Sequence, residues 1–452
     1  MITISKIETC YQEKHFWKTY DTTSFQLDSL GVETNLINLY PDIHYQKILG
    51  FGGAFTEASG YALRLLSKEM YQKVLKEYFG SSGLNYTFCR TTIGSCDFSL
   101  GNSAYLTYPD ISRFSIKEDE KYLIPLIKSS LAIEPNLQFL ASPWSPPAFM
   151  KTNQNMNQGG KLLDEYKQLW AEYLVHYVKA YQSLGISIGY MTIQNEPKAV
   201  QSWESCLYSG KEEIALLRNY LYPTFQEHHI PMKFLLWDHN KERLYIRAKE
   251  SLENPSDNAL VSGLAFHWYS GDHFENIRLV REQYPEKLLI ATEGCTGYSH
   301  FNPKDEVKNA EIYAHDYLGN LESGANAQID WNLYLDYNGG PNHQSNYCNS
   351  PIMINKENTN YIKNLSYYYI GHFSKYIKPG AKRIAHNCYT RNLLITAFEN
   401  LDKSLAVIIL NESSEEQKYR IYMQNHLYCD TIKPHSIITH QIWSDENDRS
   451  KC

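Results

Sequence analysis

Glu196 closes the run Tyr190-Met191-Thr192-Ile193-Gln194-Asn195-Glu196-Pro197, and Glu293 closes the run at 287–293. Each run is apolar or β-branched up to a polar tip, the pattern of a buried strand that delivers a carboxylate. Pro197 stops the extended run and biases Glu196 away from helical backbone. Two carboxyl groups on separate strands suit the hydrolysis of an acetal. One stays protonated to give its proton to the leaving oxygen, and the other stays ionised to attack the anomeric carbon. A gap of about 5 to 5.5 Å between them means retention through a covalent intermediate, and a wider gap leaves room for water and means inversion. The sequence leaves both open.

Other strand tips carry chemistry too. Arg90 is expected to end a second strand, with Asp97 shortly after it; Trp144 follows a third, Asp238-His239 a fifth, His267-Trp268-Tyr269 a sixth and Trp331-Asn332 an eighth. Arg90 could hold Glu293 ionised by charge-assisted hydrogen bonding, or make a surface ion pair. Asn195 is placed to bond a sugar hydroxyl beside the reacting carbon. Trp144, Trp268 and Trp331 either form an apolar platform for a sugar or pack in the core. His267 could equally be a satisfied buried imidazole. There is no HExxH, no paired Cys spacing and no His-x-His, so no metal is expected. Gly50-Phe51-Gly52-Gly53 lacks the full G-x-G-x-x-G spacing; backbone clearance at a barrel mouth is expected of it, and no cofactor.

The elements that must hold these tips repeat. Strands are expected at 48–53, 84–90, 137–143, 188–196, 232–238, 261–267, 287–293 and 327–333, with amphipathic helices between several of them. One helical region carries Leu63, Leu66, Met70, Val74 and Tyr78; another carries Tyr166, Leu169, Trp170, Tyr173, Leu174, Tyr177, Val178 and Tyr181 and stops at Gly185. Eight such units predict an α/β fold, a (β/α)8 TIM barrel over 43–377, with a doubly wound sheet as the alternative. Residues 1–42 and 378–452 instead alternate in short runs, such as Leu405-Ala406-Val407-Ile408-Ile409-Leu410. Neither segment is large enough for its own core, so the two are expected to pair into one β-sandwich built from both chain termini.

The 452 residues, 43% of them hydrophobic, are enough for such a pair of domains. The net charge of −7 comes without a basic cluster that would track phosphates, so nucleic acid is not an expected partner. No apolar run approaches the roughly 20 residues that cross a bilayer, and no stable membrane insertion is expected. No charged segment followed by an apolar stretch marks a secretory signal, and nine scattered Cys point to reduced thiols, so a cytoplasmic location is expected. Oligomeric state is not legible.

Several blocks together resemble glycoside hydrolase family 30. They are Gly50-Phe51-Gly52-Gly53-Ala54-Phe55-Thr56-Glu57, the stretch from Arg90 to Asp97-Phe98-Ser99, Ser142-Pro143-Trp144-Ser145-Pro146-Pro147, Gln194-Asn195-Glu196-Pro197 with Trp203-Glu204-Ser205-Cys206, His267-Trp268-Tyr269, Thr292-Glu293-Gly294-Cys295, and Trp331-Asn332-Leu333 followed by Gly339-Gly340-Pro341-Asn342. The glucosylceramidase branch is the most similar. The resemblance implies a retaining mechanism on a β-linked glycoside, small or lipid-linked, with Glu196 as acid/base and Glu293 as nucleophile. It implies that Arg90, Asp97, Trp144, Asn195, Tyr269, Trp331 and Asn346 line the sugar subsite, with Asp97 gripping hydroxyls far from the reacting carbon, which favours exo-action. An endo-β-1,6-glucanase, a β-xylosidase or a β-fucosidase are the alternatives within the family, and a non-catalytic carbohydrate-binding protein lies outside it. The N-terminal β region is shorter than in animal lysosomal members, and the loop Lys198-Ala199-Val200-Gln201-Ser202-Trp203 differs from theirs.

Overall fold

The computed structural model describes residues 1–29, 31–390 and 392–444. Eight parallel strands close into a barrel: Gly50–Phe55, Phe88–Ile93, Gln138–Pro143, Ile188–Thr192, Lys233–Asn240, Gly263–His267, Leu288–Glu293 and Ala327–Asn332. The α/β barrel expected from the strand-helix rhythm is therefore present. Helix Lys167–Ser183 buries Trp170, Tyr173, Leu174, Tyr177, Val178 and Tyr181 against the barrel wall, as its stripe implies. The expected region around Leu63 to Tyr78 is two helices, Glu57–Arg64 and Lys68–Phe79, because the Ser67 hydroxyl accepts from the Met70 N–H and caps the second.

Three strand ends differ from the sequence reading. The second strand does not stop at Arg90: the β-branched Thr91-Thr92-Ile93 continue the ladder beside Ala141–Pro143, and the chain turns only at Gly94, with φ of 75°. Arg90 therefore sits inside the barrel wall. The fourth strand stops at Thr192, short of Glu196, whose φ of 46° takes it off the ladder. The first strand starts at Gly50 and runs on to Phe55, so the glycine run lies inside the ladder, where Gly50 to Gly53 pair with Ala327 to Asp330.

That last point explains Gly52. A methyl group there would lie 1.8 Å from the carbonyl oxygen of Phe88 in the neighbouring strand. Gly52→Ala is expected to cost about 3 kcal/mol or more, the upper range for overpacking. Gly101→Ala, where a methyl would meet nothing within 4 Å, is expected to stay within about 0.5 kcal/mol. Urea-unfolding midpoints of the two variants check this.

Both chain ends build the second domain. Strand Ile2–Cys10 pairs antiparallel with Ser436–Ser444 from Ile2↔Ser444 to Cys10↔Ser436, within one sheet of 11 strands. Its interior holds Ile4, Ile37, Leu39, Val407, Ile409, Ile421 and Ile438. Strand Leu36–Lys47 crosses residue 42 and leads into the barrel, and helix Leu365–Ser374 ends the barrel just before residue 378. At this joint the buried His372 imidazole bridges Thr439 at 2.8 Å and Thr9 at 2.9 Å.

One element had no sequence signal. A small sheet of Tyr334–Leu335, Ile352–Ile354 and Tyr361–Lys363 ties off the long loop after the eighth strand. Residues 336–351 are thereby held over the barrel mouth.

Candidate active site

The barrel interior is plugged by Phe88, Leu140, Tyr190, Leu235, Ala265, Ile290, Ala327 and Ile329. Side chains two residues on in a strand point the same way. The next layer toward the strand ends is therefore Arg90, Ser142, Thr192, His267 and Thr292, all buried and all polar. The fifth strand supplies Asp238 to the same layer, three residues after Leu235. Its register shifts at Trp237, and Trp237 and Asp238 have φ of 77° and 55°. The bulge turns a carboxylate inward that simple alternation would have pointed outward.

Asp238 is the hub of this layer. Its Oδ2 accepts from Arg90 Nη2 at 2.7 Å, Thr192 Oγ1 at 2.7 Å and Ser142 Oγ at 3.0 Å; its Oδ1 accepts from Thr292 Oγ1 at 2.6 Å and faces His267 Nε2 at 3.0 Å. Burial opposes its charge, but Arg90, His267 and Thr292 outweigh it and hold the carboxyl well below the usual range.

Above the hub stand the two glutamates. Arg90 Nη1 donates to Glu293 Oε2 at 2.6 Å, and the Tyr269 hydroxyl donates to Glu293 Oε1 at 3.0 Å. Arg90 Nη2 also donates to Asn195 Oδ1 at 2.8 Å, which turns the Asn195 amide N–H outward. Glu196 is suspended between neighbouring strands: the N–H of Asn195 donates to Pro143 O at 2.8 Å, and its own N–H donates to Asp238 O at 3.0 Å. Its Oε1 faces His267 Nδ1 at 3.3 Å and its Oε2 accepts from Gln201 Nε2 at 3.4 Å. Its left-handed backbone is the kind of strain that surrounding structure must enforce. One oxygen of Glu196 and one of Glu293 lie within 4.8 Å of each other, and of a His267 nitrogen. These three could approach a cation, but both carboxylates are already engaged by hydrogen-bond donors, and Arg90 supplies the positive charge.

Charge in this cluster is coupled. Burial works against a charge on Glu196, but the His267 hydrogen bond, the nearby His239 and the Gln201 amide outweigh it and hold the carboxyl low. His267 is raised to about 9 against its burial by Glu293, Asp238 and Glu196. Burial, with Glu196 and Asp238, pushes Glu293 up against the pull of His267 and Arg90.

The walls complete the pocket. Trp144 and Trp331 stack with centroids 5.2 Å apart, and the Arg90 guanidinium lies 4.7 Å from the Trp144 ring. Trp268 also lines the cavity but packs on Tyr313, 4.7 Å away, not on the other two tryptophans. Asp97 is buried in the loop after the second strand, and its Oδ2 accepts from Asn342 Nδ2 at 3.2 Å and Asn346 Nδ2 at 3.1 Å, both from the loop at 336–351. Burial, then Glu293, raises Asp97 to about 7 against these donors. The cavity measures about 970 Å³ and extends from this floor past Trp203, Gln201 and His239 to Asp272, His315 and Glu412, the last contributed by the sandwich. Every residue singled out from sequence lies in or beside this cluster: Glu196, Glu293, Arg90, Asp97, Trp144, Asn195, His267, Tyr269, Trp331 and Asn346. Asp238, Thr292 and Gln201 were not assigned a part; the bulge hid the first, and no spacing marks a hydroxyl or amide that acts through a carboxylate.

The glycosyl hydrolase family 30 TIM-barrel domain matches residues 48–377, and the glycosyl hydrolase family 30 beta sandwich domain matches residues 380–440. Lysosomal acid glucosylceramidase of Mus musculus is 30% identical over 428 residues, 90% of this chain and 83% of its own. Among solved structures, SrfJ from Salmonella typhimurium is 36% identical with a TM-score of 0.95, covering 98% of this chain and all of the other. An endo-β1,6-glucanase is 27% identical with a TM-score of 0.87, covering 97% and 98%. The chain belongs to glycoside hydrolase family 30, and it is a glycosidase.

Proposed function

We propose that this glycosidase is a retaining, exo-acting β-glycosidase of glucosylceramidase-like type that prefers a terminal β-glucoside. Glu196 gives its proton to the leaving oxygen, and Glu293 attacks the anomeric carbon to form a glycosyl-enzyme that water then releases. The approach of one Glu196 oxygen to within 4.8 Å of one Glu293 oxygen supports the retaining mechanism, because inversion needs a wider gap between the carboxyl groups for water. The donors sort the roles. Each glutamate has a partner on both oxygens, but only Glu293 is bonded to a permanent cation, Arg90, with Tyr269 on its other oxygen, which suits an anion. Glu196 instead faces His267, through which a proton can arrive.

His267 reconciles these roles with the charges. The proton between its Nδ1 and Glu196 Oε1 can move onto the carboxylate, leaving a neutral imidazole whose Nε2–H stays with Asp238. Protonating Glu196 also removes a charge that raises Glu293, so the nucleophile ionises as the acid loads. Asn195, its oxygen held by Arg90, points its N–H₂ at the hydroxyl next to the reacting carbon. Asp97 and the loop at 336–351 close the cavity floor, which supports removal of one terminal sugar.

The pH profile of kcat/KM follows as a bell. The acid limb is protonation of Glu293, above the ordinary carboxylate range; the alkaline limb is loss of the proton shared by Glu196 and His267, near about 9. An acid must carry its proton, so activity is present below that limb and lost as pH rises through it. His267→Asn is expected to move the alkaline limb down. A rate that keeps rising through alkaline pH contradicts the assignment.

A second reading, endo-acting β-1,6-glucanase, is favoured by the cavity arm toward Asp272, His315 and Glu412, whose polar walls suit further sugars. Aryl β-glucoside, β-xyloside, β-fucoside and β-galactoside assayed side by side test the first reading, which predicts fastest turnover of the glucoside. Oligosaccharide release from a long β-1,6-glucan with little aryl glycoside turnover would favour the second. An epoxide cyclitol shaped like glucose is expected to label Glu293.

A further inference from the structure

Two thiols stand in the wall of the sugar pocket, and neither takes part in the chemistry above. Cys295 and Cys348 are both free, both buried at 7% and 2% exposure, and both line the cavity. Both belong to one cluster of packed, buried side chains that includes Trp144 and Trp331. The segments that carry them run side by side: Gly297 and Cys348 form an antiparallel bridge, and the Asn349 N–H donates to Thr296 O at 3.1 Å.

Each thiol is tied to a residue of the sugar site. Cys295 follows Glu293 by two residues, and the Tyr269 hydroxyl that donates to Glu293 lies 3.5 Å from Cys295 Sγ. Cys348 follows Asn346 by two residues, and Asn346 donates to Asp97. A covalent bond between these sulfurs would therefore pull on both the carboxylate that reacts and the loop that reads the far side of the sugar.

We propose that Cys295 and Cys348 form an oxidation site, a dithiol that a small peroxide entering through the cavity closes to a disulfide, switching the glycosidase off reversibly. Cys295, the more exposed of the two, reacts first. Its thiolate takes one oxygen of the peroxide; the O–O bond breaks, the sulfur becomes a sulfenic acid, and the other oxygen leaves as hydroxide and is protonated to water. The Cys348 thiolate then attacks that sulfur and forms the S–S bond, expelling the sulfenic oxygen as a second water. The two sulfurs lose two electrons in total, and the peroxide gains them. Burial holds the Cys348 thiol well above its ordinary range, so the second step is the slow one. Closure fixes the two sulfurs at about 2.05 Å and draws the two segments together. Displacement of a reacting group by about 1 Å costs about 10²-fold in rate.

The test uses the full chain and hydrogen peroxide. Peptide mapping without reductant is expected to find Cys295 linked to Cys348, and the aryl glucoside rate is expected to fall about 10²-fold and to return with dithiothreitol. Cys348→Ala, or Cys348→Ser should the first not fold, is expected to retain most of its own peroxide-free rate under the same peroxide. The exposed Cys429, changed to Ser, is expected to leave the response as it is. Absence of the linked peptide overturns the proposal, and so does equal loss of activity in the Cys348 variants. The linkage is read by mass whether or not any glycoside is turned over, so its failure and failure of the proposed glycosidase specificity are separate results.

Discussion

Glu293→Gln is expected to lower kcat/KM on an aryl β-glucoside by about 10⁴-fold or more, because it removes the group that must attack while keeping the shape of the site. Glu196→Ala is expected to behave differently. With a good leaving group, the first step needs little proton transfer, so the glycosyl-enzyme still forms and then accumulates, since no base remains to activate water. Azide, which needs no base, is expected to restore turnover and to give the β-glycosyl azide. The configuration of the product makes the test decisive. If the roles were exchanged, as the raised Glu293 and lowered Glu196 would suggest for a static site, azide would rescue the Glu293→Ala variant through the β-azide and the Glu196→Ala variant only through the α-azide. Rescue of Glu293→Ala with an α-azide would instead confirm Glu293 as nucleophile, because azide then occupies the cavity the carboxylate left.

The sequence made the barrel legible because its strands are buried on both faces and end in polar residues, so that period and composition change together at each tip. Glu196, Glu293, Tyr269 and Trp331 could be placed by that change alone. Strand ends were harder. Arg90 looked terminal since it is the first charge after an apolar run, yet Thr91-Thr92-Ile93 extend the ladder and leave the guanidinium inside. Asp238 was visible as a strand-end carboxylate, but its position in the polar layer depends on backbone at φ of 77° and 55°, and no residue type there demands such a bulge. The loop at 336–351 gave away Asn346 only through the family resemblance. Its anchor, the small sheet of Tyr334–Leu335 and Ile352–Ile354, pairs residues whose separation along the chain no local pattern encodes.

Arg90→Met is expected to be the most destabilising single change in the site. The guanidinium is fully buried and is bonded to Asp238 and Glu293 at 2.7 and 2.6 Å, to Asn195 at 2.8 Å and to Ser142 at 3.0 Å. Met fills much of the volume, so the loss is one of charge: two carboxylates lose their shared cation. Removing one partner of a buried pair costs about 3 to 5 kcal/mol. The two acids do not suffer equally. Asp238 keeps Ser142, Thr192, Thr292 and His267 as bonded partners, whereas Glu293 keeps one hydrogen bond, from Tyr269, and the pull of His267, and rises further from its already raised value. Activity should therefore fall by more than stability alone explains, with the acid limb of the pH profile moving up as Glu293 becomes easier to protonate. Adding Asp238→Asn to Arg90→Met is expected to restore part of the unfolding free energy, since it removes one unpaired charge, but none of the activity, since Glu293 still lacks its cation. Urea unfolding and kcat/KM on the same four proteins separate the two effects. Additive stability losses would mean that Arg90 and Asp238 are not coupled, and would remove the reason for a buried guanidinium beneath the nucleophile.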